Sequence, residues 1–272
     1  MSDTATDREF EALTAKIARE RGFACASYKE KCLRRRIAVR MRARGVHTYA
    51  DYAGVLDTDA REYDLLLDAL TINVTKLFRN WETFRAIETV CVPALWALPE
   101  PALRIWSAGC ASGEEAHSLA ILIHRYVADL GETARLGRVS VVGTDIDRAS
   151  LETARRGAYV DAAFADTPPL LRERYFSSGT PHVVHEDARR LVRFEHRDLL
   201  NDPPPMTDVH LIACRNVLIY FDRETQEMLF QKFHDALAPG GFLVLGKVET
   251  LFGPTRARFQ AVEPRERIFR RQ

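Results

Sequence analysis

An α/β chain is predicted: a small all-helical N-terminal domain with its linker (residues 1–85), then a doubly wound, Rossmann-like domain (86–272) carrying a small inserted β-subdomain at about 160–191. Three observations predict it. Up to residue 72, apolar residues recur at helical spacing with no strand alternation. From Leu103 onward, short apolar runs alternate with amphipathic stretches, the signature of a parallel sheet covered by helices. The first of those runs ends in a small-residue loop that opens a long helix, the place where open α/β sheets build ligand sites. With 272 residues, 46% hydrophobic and 28% charged, the chain can bury a sizeable core, and no apolar run is long enough to span a bilayer. The first twenty residues are of mixed charge and unlike a secretory leader, so a cytoplasmic location is expected. Five cysteines without a CxxC or a regular His/Cys spacing speak against zinc and a disulfide framework, and no metal site is expected.

In the N-terminal part, Phe10, Leu13 and Ile17, then Leu65, Leu66 and Leu70, recur at helical spacing. Between 29 and 44, eight basic residues face the single acid Glu30, while Leu33, Ile37 and Met41 share one face at i, i+4, i+8. The arginines can then project outward while that stripe packs inward. A one-signed run points to docking on something acidic, although a solvated face is the ordinary reading of a charge run. The net charge of only +1 argues against nucleic-acid binding over the whole surface and leaves recognition to this local cluster.

Thr71-Ile-Asn-Val-Thr-Lys-Leu-Phe-Arg79 follows, with polar groups at alternate positions. If it is extended, Asn73 and Thr75 share a face and can bond the polar end of a cofactor, with Arg79 available for a carboxylate. A helix Trp81 to Leu98 comes next, stopped by Pro99 and Pro101.

Residues 104–118 read as a buried strand, a loop bounded by Gly109 and Gly113, and the start of a helix running to about 129. The glycines allow close backbone approach, and the helix aims free N–H groups there. The spacing does not fit a dinucleotide fingerprint, and Glu114 and Glu115 in the first turn would repel phosphate. Paired carboxylates suit a cationic or hydroxyl-bearing ligand and point to S-adenosylmethionine. An ordinary strand-to-helix turn with capping glutamates stays open on these residues alone.

The strand Val139 to Val142 runs into Gly143-Thr-Asp145, where Asp145 can accept from ribose hydroxyls or serve as a helix cap, a role Asp147 could also fill. After the insert, Leu191 to Glu195 leads to Asp198 and Leu199, placed to accept from an adenine amino group and to cover its ring. Val209 to Ala213 ends in Cys214-Arg215-Asn216, again at the cofactor edge. Helix 223–237 carries Met228, Leu229 and Phe233 inward, and the strand Phe242 to Gly246 pairs antiparallel, through a short connection, with a terminal strand near Arg267 to Arg270.

Lys31-Cys-Leu-Arg-Arg-Arg-Ile-Ala-Val-Arg-Met41, the 71–79 stretch, Ile105-Trp-Ser-Ala-Gly-Cys-Ala-Ser-Gly-Glu-Glu115, Gly143-Thr-Asp-Ile-Asp147 and Cys214-Arg-Asn-Val-Leu-Ile-Tyr-Phe-Asp222, in that order, make the chain similar to the chemotaxis-receptor glutamate methyltransferases of the CheR type. The resemblance covers nearly the whole chain. It implies S-adenosylmethionine contacts from Asn73, Thr75, Arg79, Glu114, Asp145, Asp198, Leu199, Arg215 and Asn216, with Arg79 and Tyr220 positioning the transfer. It also implies that the basic helix, through Arg34, Arg35, Arg36, Arg40, Arg42 and Arg44, docks on the methylation helices of a chemoreceptor. A monomer that meets the membrane only through its receptor is expected. Leu77 stands where the family usually has phenylalanine, and Lys247-Val248 replaces the common His-Ser. Asn80-Trp-Glu-Thr-Phe84 spells the receptor's tether pentapeptide, but directly after Arg79 it reads as a helix opening.

The implied reaction moves a sulfonium methyl to a glutamate carboxylate, giving a γ-methyl ester and S-adenosylhomocysteine. A carboxylate with a reference pKa of about 4.3 is already ionised at neutral pH, so no general base is required. One alternative is a non-catalytic module in which the cofactor gates receptor binding. Another is a nucleic-acid methyltransferase, suggested by Asp202-Pro203-Pro204, which however precedes its strand and ends in Met206 rather than an aromatic residue.

Overall fold

The computed structural model describes residues 2–71 and 75–272, with side chains from residue 5. The chain folds as two compact units, Met1–Ile72 with Tyr220–Thr225, and Asn73–Ile219 with Gln226–Gln272.

The first unit is built on helices α1 (Ser2–Arg21), α2 (Glu30–Arg44), α3 (Tyr49–Thr58) and α4 (Ala60–Leu70). Local chemistry sets their ends. Gly45 adopts the left-handed conformation that closes α2, the Thr48 hydroxyl accepts the Asp51 N–H, and the Asp59 carboxylate accepts those of Arg61 and Glu62. Phe10, Leu13, Ile17, Leu33, Ile37, Met41, Tyr52, Leu56 and Leu66 form its core. Leu65, expected among them, is 47% exposed: it lies beside Leu66 in sequence, but about 100° round the helix from it. Tyr220–Thr225 belongs to this unit through backbone bonds from Lys29 N–H to the Tyr220 carbonyl (2.8 Å) and from Asp222 N–H to the Ser27 carbonyl (3.1 Å).

The second unit opens with α5 (Trp81–Ala86), a π-turn at Ile87–Cys91 and α6 (Val92–Trp96). The single helix expected there is thus interrupted. Pro93, at the start of α6, has no N–H to continue the ladder, and the Val92 N–H reaches back five residues to the Ile87 carbonyl.

Strands and helices then alternate, from β1 (Leu103–Ala108) through α7 (Glu114–Asp129) and β2 (Val139–Asp145) to α8 (Arg148–Arg156). An insert follows, holding β3 (Ala158–Tyr159), α9 (Pro169–Tyr175), β4 (His182–Val183) and α10 (Glu186–Arg189). The main sheet resumes with β5 (Val192–His196), β6 (Val209–Cys214), α11 (Arg223–Ala236), β7 (Leu237–Leu245), β8 (Phe259–Glu263) and β9 (Ile268–Arg271). Strand order is β5-β2-β1-β6-β7-β9-β8, parallel except where β9 pairs antiparallel with β7 and β8. The order reverses between β1 and β6, which makes that gap the switch point at which such sheets bind ligands.

Three further details differ from the sequence expectation. The insert is more helical than β: β3 and β4 pair over two residues each, and Leu171 and Tyr175, four apart, bury one face of α9. β7 and β9 do pair antiparallel, but β8 intervenes in sequence and lies outermost, so the connection is long rather than short. On α11, Leu229, Phe230 and Phe233 face the core, whereas Met228 is 46% exposed because it falls on the flank of that stripe. No helix among the described residues is long and apolar enough to cross a membrane.

Buried on α7, His117 meets the Ala154 carbonyl through Nε2 (3.1 Å) and stands edge-on to Phe194 and Tyr159. Burial lowers its pKa from 6.5 to about 4, so on acidification the unfolded chain binds this proton first. The stability it confers is complete above pH 6.5 and is lost as pH falls from 6.5 to 4, by about 3 kcal/mol in all. Denaturant melts of wild type and His117→Gln at pH 7 and pH 4 are expected to differ by that amount in the variant's favour at the lower pH. Raised carboxylates act in the opposite sense in both chains and cancel in the comparison.

Candidate functional site

The carboxyl ends of β1, β2 and β6 lead into Glu114, Asp145, Arg215 and Asn216, that of β5 into Asp198 and Leu199, while Thr75 and Arg79 precede α5. After β1 the chain turns through Gly109 (φ +74°), Ala111 (φ +47°) and Gly113 (φ +89°). The two glycines are required by the chain itself: a Cβ at Gly109 would lie 2.6 Å from the Val217 side chain, and one at Gly113 2.7 Å from the Ala154 Cβ. The loop is tied to β2 by N–H bonds from Gly109 (2.9 Å) and Cys110 (3.0 Å) to the Thr144 carbonyl.

Acidic side chains gather around this loop. Asp145 accepts the Ala111 N–H on Oδ2 (2.8 Å) and the Asp147 N–H on Oδ1 (2.9 Å), while Asp147 caps α8. Both helix-capping and loop-bracing roles are therefore filled, and with the Ile146 N–H also drawn to it the Asp145 carboxylate still keeps acceptor capacity for a ligand hydroxyl. Glu114 accepts from the Ser112 hydroxyl (2.8 Å), and Glu115 from the Ser107 hydroxyl (2.8 Å). Burial raises the pKa of Asp145 against the pull of the Asp147 and Ala111 N–H groups, of Glu114 against Ser112, and of Glu115 against Arg215. Such carboxylates favour a ligand that brings positive charge and hydroxyl donors and disfavour phosphate.

Sequence reasoning missed Glu249. Its buried carboxylate accepts N–H bonds from Gly246 (2.6 Å), Asn216 (3.0 Å) and Ile219 (3.3 Å), joining the turn after β7 to the turn after β6. Glu249 follows directly on the unusual Lys247-Val248 pair, and an acid beside a glycine turn was the only available signal. Asn216 is held in the left-handed region (φ +62°), and its buried Oδ1 has no hydrogen-bond partner within the chain. That orphaned acceptor, with the raised carboxylates, fits S-adenosylmethionine, which carries amino and hydroxyl donors and a sulfonium charge.

Arg215 is buried, with Nη1 3.5 Å from Glu115 and Nη2 donating to the Arg79 carbonyl (2.6 Å). Arg79 lies in a turn rather than an extended run, flanked by Phe78 (φ +53°) and Asn80 (φ +60°). Thr75 is half-buried, and Asn73 lies outside the described residues. Thr83 and Phe84 are buried in α5, so the Asn80–Phe84 pentapeptide is part of the fold. Asp198 accepts from Leu200 N–H (2.8 Å) and Asn201 Nδ2 (2.7 Å), and the Lys232 ammonium binds the Leu199, Leu200 and Asp202 carbonyls, which braces the turn presenting Asp198 and Leu199. Asp202 accepts the Asp198 N–H (2.8 Å), a turn role for the Asp-Pro-Pro stretch. Burial raises the Cys110 and Cys214 thiols well above their ordinary pKa, with the nearby carboxylates adding to the effect, so neither is poised as a nucleophile. Among the described residues, no group of three or more His, Cys, Asp or Glu could hold a metal.

In the helical unit the six arginines of α2 divide. Arg34 bonds Asp7 (2.7 Å) and lies 4.0 Å over the Phe10 ring, Arg40 grips the buried Glu62 (2.9 and 2.6 Å), and Arg44 pairs with Asp59 (3.1 Å). Arg36 donates to the Ala69 carbonyl and lies 5.6 Å over the Tyr220 ring. Arg35 and Arg42, two turns apart, are exposed, as is Arg44 despite its ion pair. Arg34, Arg36 and Arg40 do not project freely outward, because Asp7, the Ala69 carbonyl and Glu62, all distant in sequence, fold against them.

A family model described as CheR methyltransferase, SAM binding domain, matches residues 73–268, and one described as CheR methyltransferase, all-alpha domain, matches residues 8–71. A chemotaxis protein methyltransferase of Listeria innocua is 31% identical over 91% of this chain and 92% of its own length. Chemotaxis protein methyltransferase 2 of Pseudomonas aeruginosa is 32% identical over 90% of this chain and 87% of its own. An uncharacterized 104.1 kDa protein of Rhodobacter capsulatus is 34% identical over 89% of this chain, which spans only 25% of that protein.

Proposed function

Since the chain belongs to the CheR methyltransferase family and carries its S-adenosylmethionine-binding domain, we propose that it methylates glutamate side chains on the cytoplasmic helices of chemoreceptors. The observation that supports this reading is the pair of carboxylates at the 109–113 loop, the buried Glu114 and the half-buried Asp145, which favours a cationic, hydroxyl-bearing ligand over a phosphate. When bound, S-adenosylmethionine supplies an electrophilic methyl on a sulfonium centre. Asp145 would hold the ribose hydroxyls, Asp198 and Leu199 the adenine, and Glu114, Asn216, Thr75 and Asn73 the polar remainder. Arg79 and Tyr220 align the acceptor with the methyl. Neither moves a proton, because the acceptor carboxylate is already ionised. Holding oxygen, methyl and sulfur in line supplies roughly 7 to 11 kcal/mol.

Docking is assigned to α2, with Arg35 and Arg42 as its outward charges, Arg44 exposed beside Asp59, and Arg34 and Arg40 as braces of the helical unit. Reversing both outward charges (Arg35→Glu with Arg42→Glu) is expected to raise KM for receptor about tenfold and to flatten its salt dependence, with kcat unchanged. Arg40→Ala instead takes the bidentate guanidinium from a buried carboxylate, leaving it the Tyr52 hydroxyl and a distant Arg44, and is expected to cost about 3 kcal/mol in a denaturant melt. Equal effects on KM from both variants would contradict the division. The proposed activity is tested by incubating chain, cofactor and chemoreceptor and mapping tryptic peptides by mass spectrometry. Glutamates heavier by one methylene are expected, whereas intact cofactor binding without any modified glutamate would favour a cofactor-gated binding module.

A further inference from the structure

We propose that Glu115 and Arg215 form a buried positioning pair that sets the backbone at Arg79, so that the Arg215 side chain acts on the transfer site through Arg79 rather than by touching cofactor. The proposal rests on the alignment role assigned to Arg79 under the proposed function. The chain of contacts is continuous. The Ser107 hydroxyl on β1 donates to Glu115 Oε1 (2.8 Å), and Glu115 Oε2 faces Arg215 Nη1 at 3.5 Å. Arg215 Nη2 donates to the Arg79 carbonyl (2.6 Å) and lies 3.4 Å from Asn80 Oδ1, and the guanidinium stands 5.0 Å over the Phe84 ring.

The turn at Arg79 needs such a brace. Phe78 and Asn80 both have positive φ, a conformation that residues other than glycine hold only where their surroundings enforce it. Their N–H groups are fixed from outside, Phe78 by the Ser118 hydroxyl (2.9 Å) and Asn80 by Asp166 (2.9 Å), while the Arg79 carbonyl between them is held by Arg215. Glu115 supplies the charge that keeps the guanidinium buried: Ser107 is fully buried, and Glu115 and Arg215 are less than a tenth exposed. Neutralising Glu115 therefore releases Arg215 and with it the turn.

The test compares wild type, Glu115→Gln, Arg79→Ala and the double variant, using the full chain. Glutamine keeps the shape and the Ser107 bond but removes the charge. Alone it is expected to lower kcat about tenfold, yet in the Arg79→Ala background it is expected to add less than about twofold, since the group it positions is gone. Additive losses would overturn the proposal, as would an unchanged kcat. A second readout needs no turnover. Hydrogen exchange of the cofactor-free chain is expected to rise in peptides covering 77–86 and to stay unchanged over 192–200, and a uniform rise would mean a merely structural role. Should Glu115→Gln fail to fold, Ser107→Ala loosens the same carboxylate and is expected to give the same pattern at smaller amplitude. If wild type transfers no methyl to receptor, the functional reading fails, and the exchange data still judge the pair.

Discussion

Arg79→Ala is expected to lower kcat for methyl transfer about a hundredfold and to raise the Kd for S-adenosylmethionine about tenfold. The larger effect falls on kcat because a reaction without proton transfer depends on alignment, and a side chain that aligns oxygen with methyl has no substitute in water. The smaller one reflects the loss of a charge-assisted bond to the cofactor carboxylate. Single-turnover kinetics with receptor and isothermal titration with cofactor separate the two. A kcat equal to wild type would remove Arg79 from the mechanism.

Asp145→Ala is expected to act at the other end of the cofactor, raising Kd about a hundredfold with kcat at saturation nearly unchanged. Two losses combine. The ribose loses its acceptor, and the Ala111 and Asp147 N–H groups that now rest on the carboxylate are left without it, so the loop between Gly109 and Gly113 loosens. Titration of S-adenosylhomocysteine checks this without any chemistry. An unchanged Kd would show that the carboxylate serves the loop alone.

What could be read from the residues was local or periodic. The small-residue loop, the strand-helix alternation and most of the apolar helix faces follow from neighbours within a few turns, and the structure has them where the pattern put them, apart from Leu65 and Met228 on the flanks of their stripes. What could not be read depends on partners far apart. Arg40 looks like any arginine of a basic helix until Glu62 is folded against it, and Glu249 has no meaning until three N–H groups from two turns converge on it. Arg215 and Glu115 are a hundred positions apart, so no local pattern announces that the Arg215 guanidinium lies between Glu115 and the Arg79 carbonyl. Tyr220, which follows β6 in sequence, is held by Lys29, the residue that leads into α2, and no local pattern announces that. The insert differs for another reason: its aromatic residues have β propensity, but Pro168 and Pro169 start a helix whose buried face is Leu171 and Tyr175.

The central claim is that the methyl goes to a carboxylate. Radiolabelled S-adenosylmethionine incubated with this chain and chemoreceptor-containing membranes, followed by mild alkali, tests it directly. A γ-glutamyl methyl ester releases its label as volatile methanol, the result expected here, whereas label that stays with the receptor after alkali would mean transfer to nitrogen or sulfur and would contradict the account.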